Sequence, residues 1–394
     1  MGGRGAVSSA PGREGGGRGA PGGDRSALTE RIRQAARDAG FDRVGITDAR
    51  PSEQAEAFRA WLARGDHAGM AYLARDPERR FRPAELLPGA VSIVVVALHY
   101  QPEAAAEGDL WPRVARYALG DDYHDLMIAG LRRLATAVTA LVPGARTRPY
   151  VDTGPLLERE IAARAGLGAV GKHTLLLHPE HGSWFLLGEL LTDLDLVADE
   201  PLADPCGSCT RCLSACPTGA LTAPRQLDAR RCISYWTIEH RGTIPPEVRP
   251  ALGEWVFGCD LCQEACPWND AAPPPTDGRL ALPAVRRGLD LAGLLTLDRE
   301  AYLRLFRRSP LKRPRLEGLQ RNAAIAIGNR GREEYLPALA AAGANPSPVV
   351  REAAGWALAR IGGPCAAALL AAAVANETDP GTRRALAAHA ASNC

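Results

Sequence analysis

Ten cysteines stand in this 394-residue chain, and eight of them lie between Cys206 and Cys266. The run "CGSCTRCLSACP" places Cys206, Cys209, Cys212 and Cys216 at C-x2-C-x2-C-x3-C-P. That spacing is too crowded for disulfides. It is the spacing by which thiolates wrap a cubane iron–sulfur cluster, the fourth cysteine serving a neighbouring cluster. A second run, "CDLCQEACPW", repeats the pattern with Cys259, Cys262 and Cys266 but lacks one thiol, which Cys232 can supply. A reciprocal exchange then completes two four-thiolate sites: Cys206, Cys209, Cys212 and Cys266 in one, Cys216, Cys232, Cys259 and Cys262 in the other. Structural zinc sites also use C-x2-C pairs. Consecutive x2 spacings closed by x3-Cys-Pro, with the pattern written twice, favour two [4Fe–4S] clusters. Cys365 and Cys394 sit apart in an Ala-rich tail and are read as inert thiols.

Two clusters form a short electron path, and a path needs a terminus. Residues 166–171, "GLGAVG", match the dinucleotide fingerprint G-x-G-x-x-G. The context is inverted, however, because a helical stretch (155–165) precedes the glycines and a strand-like "HTLLL" follows, whereas the fingerprint needs strand then helix. A glycine loop that lets backbone approach a large cofactor remains the better reading. Lys172 follows directly, and it and Lys312 are the only lysines among 47 basic residues, so each stands out against the arginine bias. His173, His178 and His181 have no strong metal spacing and are read as packed or surface histidines. His124, in "DYHDLM", partly echoes D-x-H-x-x-G, but the glycine is missing and no ligation is inferred. Asp152 ends an apolar strand ahead of a Gly-Pro turn, a position suited to acid–base work if burial raises its pKa above ~3.9. A helix N-cap is the alternative role.

The elements that must position these residues follow from periodicity. Residues 28–39 and 125–141 have helical patterns, and 41–47, 92–99, 147–151 and 183–187 read as strands, alternating as in a layered α/β sandwich. The expected class is α+β, with a mixed α/β region over 26–200, a ferredoxin-like two-cluster region over 201–275 and a helical region over 276–394. Composition is that of a globular chain, 46% hydrophobic and 23% charged. The longest apolar runs are strand-length, far short of the ~20 residues of a membrane span. Residues 1–25, rich in Gly, Arg, Pro and Ser, have no apolar h-region and are expected to be a disordered tail on a cytoplasmic protein.

Charge is uneven. Between residues 301 and 332 nine basic side chains (Arg304, Arg307, Arg308, Lys312, Arg313, Arg315, Arg321, Arg330, Arg332) face one acid, Glu317, giving +8 on a chain whose net charge is +2. Such a patch suggests a polyanion, most commonly a phosphate backbone. "RNAAIAIGN" (from Arg321), "REAAGWALA" (from Arg351) and "RRALAAHAA" (from Arg383) recur at about thirty residues, a period that suggests a short HEAT-like solenoid.

Taken together, "ARYALGDDYH", "VDTGPLLEREIAARAGLGAVGKHTLLLHPEHGSWFLLGELLTD", "CGSCTRCLSACPTGAL", "DARRCISYWTIEHRG", "GCDLCQEACPWN", "SPLKR" and "RNAAIAIGN" resemble the epoxyqueuosine reductase family from about residue 26 to 329. The resemblance implies a cobalamin-binding catalytic domain over 26–200 and two [4Fe–4S] clusters that feed electrons to cobalt. The implied substrate is the epoxycyclopentane of epoxyqueuosine at the tRNA wobble position, in the last step of queuosine formation. Asp152 matches the family's proposed proton donor. Gly168, Gly171, Lys172, His173 and Thr174 would surround the corrin, with Arg75, Arg116 and the stretch from Ser234 to His240 as further cofactor or substrate contacts. The basic segment and repeats would hold the tRNA by its phosphates, and a flavodoxin- or ferredoxin-type protein would supply electrons. A monomer with no membrane contact is expected. Competing readings are a reductive dehalogenase-like cobalamin enzyme, a ferredoxin-like electron carrier and a tRNA-binding module without catalysis.

Overall fold

The computed structural model describes residues 25–100, 112–270 and 272–391. The expected tail lies outside the described residues except for Arg25, which instead opens the first helix, and Cys394 lies outside them too.

The N-terminal half is built on four antiparallel strands, β1 (Arg43–Asp48), β2 (Ser92–His99), β3 (Thr147–Tyr150) and β4 (Phe185–Thr192), in the order β1-β2-β4-β3. Strand β2 is buried along its whole length, and its side chains alternate between two apolar layers as a pleated strand requires. Val94 and Val96 meet α1 (Arg25–Asp38) and α2 (Tyr123–Leu141) through Ile32, Ala36, Leu131 and Leu134. Ile93 and Val95 meet α3 (Glu158–Arg164) through Ile161 and Ala162. The result is a three-layer sandwich, as the alternating pattern predicts. The last strand runs on past the predicted end at 187 because residues 189–192 are paired on both sides, to β2 and to β3. The strand-like "HTLLL" yields only Leu176–Leu177, which pairs back on Ala169–Val170.

The glycine loop is therefore half of a small hairpin. A Cβ at Gly168 would lie 2.7 Å from the Leu177 carbonyl oxygen, so the hairpin itself demands glycine there.

The cysteine region and the C-terminal helices share one apolar core, running from Val114 and Ile233 through Trp255 and Phe257 to Leu319, Ala353 and Leu386. Helix α4 (Arg315–Arg330) packs its buried Ala323, Ala324 and Ala326 toward α6 (Pro348–Ile361), which presents Ala353, Ala354 and Ala357, with α5 (Leu336–Ala342), α7 (Gly363–Asn376) and α8 (Pro380–Ala391) completing the array. Small residues explain the repeated Ala-rich motif: they let helix surfaces interdigitate closely. Arg249, from the cysteine region, donates to both Glu352 oxygens of α6 at 2.7 and 2.8 Å in the core. Removing one partner would strand a buried charge, at a cost of about 3–5 kcal/mol. No described helix is long and apolar enough to cross a membrane.

Candidate active site

The eight clustered thiols fall into two groups. Cys266 has Cys206, Cys209 and Cys212 as its electrostatic neighbours, and Cys259 has Cys216 and Cys232. Cys262 lies against Cys259 and Cys232, with Cys212 further off in the other group. The chain achieves this by setting two short helices, Arg211–Ala215 and Leu261–Glu264, side by side. None of the described cysteines is in a disulfide. Burial pushes the thiols of Cys259 and Cys266 up, to about 12 and about 11, so four thiolates per group need a compensating cationic centre. An iron–sulfur cluster supplies that charge, and the donor set fits it.

Cys232 leads into a π-helical turn, Tyr235–Glu239, the kind of irregular turn that is concentrated at functional sites. Ser234 precedes this turn and His240 ends it, the His240 ring packing on Trp236 with centroids 4.6 Å apart. The turn is held from behind. Arg321, 1% exposed, donates to the carbonyls of Trp236, His240 and Gly242 at 2.7–3.1 Å, and Asn322 donates to Thr237 and Val256 at 2.8 Å. Arg321 is thus not a surface cation for phosphate, a correction to the basic-segment reading. Others in that segment are also engaged: Lys312 with Asp122 at 2.8 Å, Arg313 with Glu239 at 2.9 Å and Arg330 with Glu254 at 2.5 Å. Net charge along the sequence overstates the free positive surface because these partners lie far away in the chain.

Asp152 sits two residues beyond β3, its side chain 57% exposed and its φ at 40°. It caps no helix, since α3 begins at Glu158 with Leu157 before it. Its Oδ2 accepts from the Tyr123 hydroxyl at 3.0 Å and faces His124 Nε2 at 3.2 Å. His124 Nδ1 lies 2.7 Å from Asp122 Oδ1, and Lys312 Nζ lies 2.8 Å from Asp122 Oδ2. The order Lys312, Asp122, His124, Asp152 is a charge-alternating chain. Asp122 also caps α2, accepting from the His124 N–H at 3.2 Å, which explains why an aspartate stands two residues before the histidine.

Electrostatics in this chain differ from the sequence expectation. Desolvation works to raise Asp152, but the hydrogen bond and charge of His124 outweigh it and hold the carboxyl below its ordinary range. Burial likewise works against a charge on His124, yet the carboxylates of Asp122 and Asp152 raise it to about 9. The stored proton is on the imidazole, 3.2 Å from Asp152. Burial pushes the Tyr123 phenol well above its usual range, so it stays a donor.

The other candidate residues are dispersed. Lys172 Nζ donates to the carbonyls of Gly207 and Cys209 at 2.7 and 2.9 Å, which ties it to the first cysteine loop. Arg116 stacks on Trp184 at 4.9 Å and meets Glu264 at 3.5 Å. Arg75 ends the short helix Ala71–Ala74. A Cβ at Gly171 would meet the His173 ring at 2.9 Å. His173 is buried with Nδ1 accepting from the Leu175 N–H. Thr174, at φ 71°, offers its carbonyl to Arg159 at 2.6 Å. His178, Glu180 and His181 bring one ligand atom each within 4.8 Å of one another. Yet His178 Nδ1 faces the Glu180 N–H at 3.1 Å and Nε2 faces the Arg43 guanidinium at 3.2 Å, so both ring nitrogens are engaged beside a fixed positive charge, a poor setting for a cation.

Around the Asp152 loop, the buried polar atoms with no hydrogen-bond partner among the described residues include Arg80 Nε, Tyr150 Oη and His173 Nε2. Arg80 reaches the Gly154 carbonyl at 3.5 Å, Tyr150 lies under Gly154, and His173 shares Arg159 with the loop. Orphaned polar atoms of this kind fit a large ligand edged with amides, as a corrin is. Sequence reasoning misses Asp122, Tyr123, Glu158 and the inward role of Lys312. The adjacency of Asp122, Tyr123 and His124 in "DDYH", together with the rarity of lysine, is the signal that could have found them.

Comparison with known proteins places this geometry. A family model described as "4Fe-4S double cluster binding domain" matches residues 205–269, one described as "Epoxyqueuosine reductase QueG" matches 80–153, and one for HEAT repeats matches 314–391. Epoxyqueuosine reductase of Xanthomonas campestris pv. campestris is 43% identical over 351 residues, covering 86% of this chain and 98% of that one. The Escherichia coli K12 protein of the same name is 39% identical, covering 86% of this chain and 90% of its own. A crystal structure of epoxyqueuosine reductase with an epoxyqueuosine-modified tRNA-Tyr stem loop matches with TM-score 0.86 and 32% identity over 93% of this chain and 99% of that one. The Bacillus subtilis enzyme, with its catalytic aspartate loop swung out of the active site, matches with TM-score 0.85 and 30% identity over the same shares. On these grounds the chain belongs to the epoxyqueuosine reductase family of oxidoreductases.

Proposed function

We propose that this chain reduces epoxyqueuosine at the tRNA wobble position to queuosine, with two electrons and two protons converting the epoxide to an alkene and water. The observation that carries this reading is one half-buried ring, Tyr117, that packs toward both halves of the chemistry. It lies 5.8 Å from Tyr123, which bonds Asp152, and 6.0 Å from Phe257, which leads into Cys259. Proton supply and thiol site meet there.

In this reading Cys206, Cys209, Cys212 and Cys266 hold one [4Fe–4S] cluster and Cys216, Cys232, Cys259 and Cys262 the other, Lys172 steadying the first loop. Cobalamin, when bound, supplies a strongly reducing cobalt centre for cleavage of the C–O bond. Arg80, Tyr150, His173 and Thr174 are the residues placed to hold its edge, with Gly168 and Gly171 shaping the hairpin beside them. Asp152 is the proton donor, and His124 is its proton source. An epoxide oxygen leaves readily only if protonated as its bond breaks. When substrate covers Asp152, lost solvation favours moving the His124 proton onto the carboxyl. Lys312 and Asp122 fix the imidazole orientation. The helical region, less its internally paired arginines, holds tRNA phosphates through residues such as Arg307 and Arg308, while the modified base enters the pocket. The external donor is a flavodoxin or ferredoxin type protein, and the enzyme works as a cytoplasmic monomer with functional divisions at 26–200, 201–275 and 276–394.

The test is anaerobic reconstitution with iron, sulfide and cobalamin, desalting, and assay on epoxyqueuosine-containing tRNA. Iron–sulfur absorbance with retained corrin bands and queuosine as product is expected. Absorbance without retained corrin would sink the cobalamin assignment, and a retained corrin without queuosine would sink the substrate.

A further inference from the structure

Two carboxyls lie behind the Asp152 loop and take no part in the chemistry above. Glu189 sits in the middle of β4, opposite Val95 on one side and Tyr150 on the other, and is fully buried. Neither of its carboxyl oxygens has a donor among the described residues. Its side-chain neighbour is Glu158, in the first turn of α3. Glu158 Oε1 in turn accepts the backbone N–H of Asp152 at 2.5 Å. Two ionised carboxyls in contact inside a sheet, with no donor to Glu189, would be a bare charge pair. One proton between them removes a charge and creates the missing hydrogen bond. Asp152 also holds a left-handed φ of 40°, which a non-glycine residue keeps only when its surroundings impose it.

We propose that Glu158 and Glu189 share one proton and together latch the Asp152 loop with its carboxyl turned toward His124, making both of them positioning residues for the proton donor. The inference rests on the reading of Asp152 as that donor. Four groups face the pair: Asp152 from the loop, Arg159 from α3, Arg80 from the turn before β2, and Tyr123 from α2. The two arginines favour ionisation, while burial and the Asp152 charge oppose it. Burial wins, carrying Glu158 up to about 8 and Glu189 well above its ordinary value. At neutral pH the pair keeps at least one proton and the latch is closed. Only when both carboxyls have ionised, at alkaline pH, do three carboxylates repel one another and loosen the loop.

The experiment uses the reconstituted holoenzyme with three substitutions. Glu158→Ala should lower kcat by roughly tenfold to a hundredfold, as for a misplaced catalytic group. It should leave KM for tRNA and the iron and corrin content unchanged, and speed hydrogen exchange in residues 151–154. Glu158→Gln keeps a carbonyl oxygen for the Asp152 N–H and should restore most of kcat. Glu189→Gln supplies a donor that cannot ionise, so hydrogen exchange in residues 151–154 should no longer speed up at alkaline pH as it does in the wild type. Wild-type kcat and exchange in Glu158→Ala, or wild-type alkaline exchange in Glu189→Gln, would overturn the latch. Should Glu158→Ala fail to fold, the Glu189→Gln profile decides alone. An active Asp152→Asn enzyme would overturn the donor reading instead, and hydrogen exchange in Glu158→Ala would still decide for or against the latch.

Discussion

The thiol-rich region and the Asp152 region, the proposed electron and proton ends of this molecule, are built by opposite strategies. All eight clustered thiols come from one 61-residue stretch, and their grouping follows from two short motifs lying side by side. The Asp152 region draws Asp122, Tyr123, His124, Asp152, Glu158 and Lys312 from three separate segments onto contacts of about 3 Å, with Glu189 of β4 behind Glu158. Proton transfer needs hydrogen-bond distances, so its groups must be set by the packing of sheet against helix. Thiolate ligation is organised by the cluster itself, so local spacing suffices. A metal-organised site can thus be written in a motif, whereas a proton-handling site is written in the core.

Substitutions at the two ends should separate cleanly. The largest effect is expected from Cys262→Ser, which removes one ligand of the second thiol set: turnover should vanish and iron content fall by about half. Full iron with normal turnover would break the proposed grouping. Asp152→Asn should leave iron and corrin content intact while lowering kcat by roughly 10²–10⁴-fold, the span of a general acid. Next comes His124→Gln, which should lower kcat by roughly tenfold to a hundredfold and erase the alkaline limb near pH 9, since a group whose pKa is raised to about 9 carries its proton below that value and loses it above. Unchanged pH dependence would mean that Asp152 is charged with its proton from elsewhere.

The smallest effect belongs to Lys312→Met, and it sharpens the comparison most. If Lys312 serves Asp122 and not tRNA phosphate, kcat should fall a few-fold with unaltered salt dependence of tRNA binding. A salt slope reduced by ~1 would return this lysine to the phosphate-binding face.

How much is legible in the sequence depends on which of these two kinds of site is read. The strand at Ser92–His99 is legible to the residue, because an uninterrupted apolar run admits few alternatives once both faces are buried. Periodicity places the helices at Arg25–Asp38 and Tyr123–Leu141 to within a few residues. Asp152 stands out as a strand-end carboxylate, but its proton state does not, since the imidazole that sets its charge lies 28 residues away. The basic segment misleads for the same reason. Arg321 reads as a surface cation, and only its five-carbonyl neighbourhood, shared with Asn322, shows a buttress behind the Cys232 turn.

By itself, then, the sequence determined the cofactor-ligating chemistry, the family, and the presence of strands and Ala-rich helices, because spacing and periodicity are local properties that survive without the fold. The tertiary structure alone decided which charges are neutralised, which way the Asp152 carboxyl and the His124 imidazole are shifted and that two carboxyls lie together behind the Asp152 loop. Those are properties of distance and desolvation, and both arise only when residues far apart in the chain are brought out of water together.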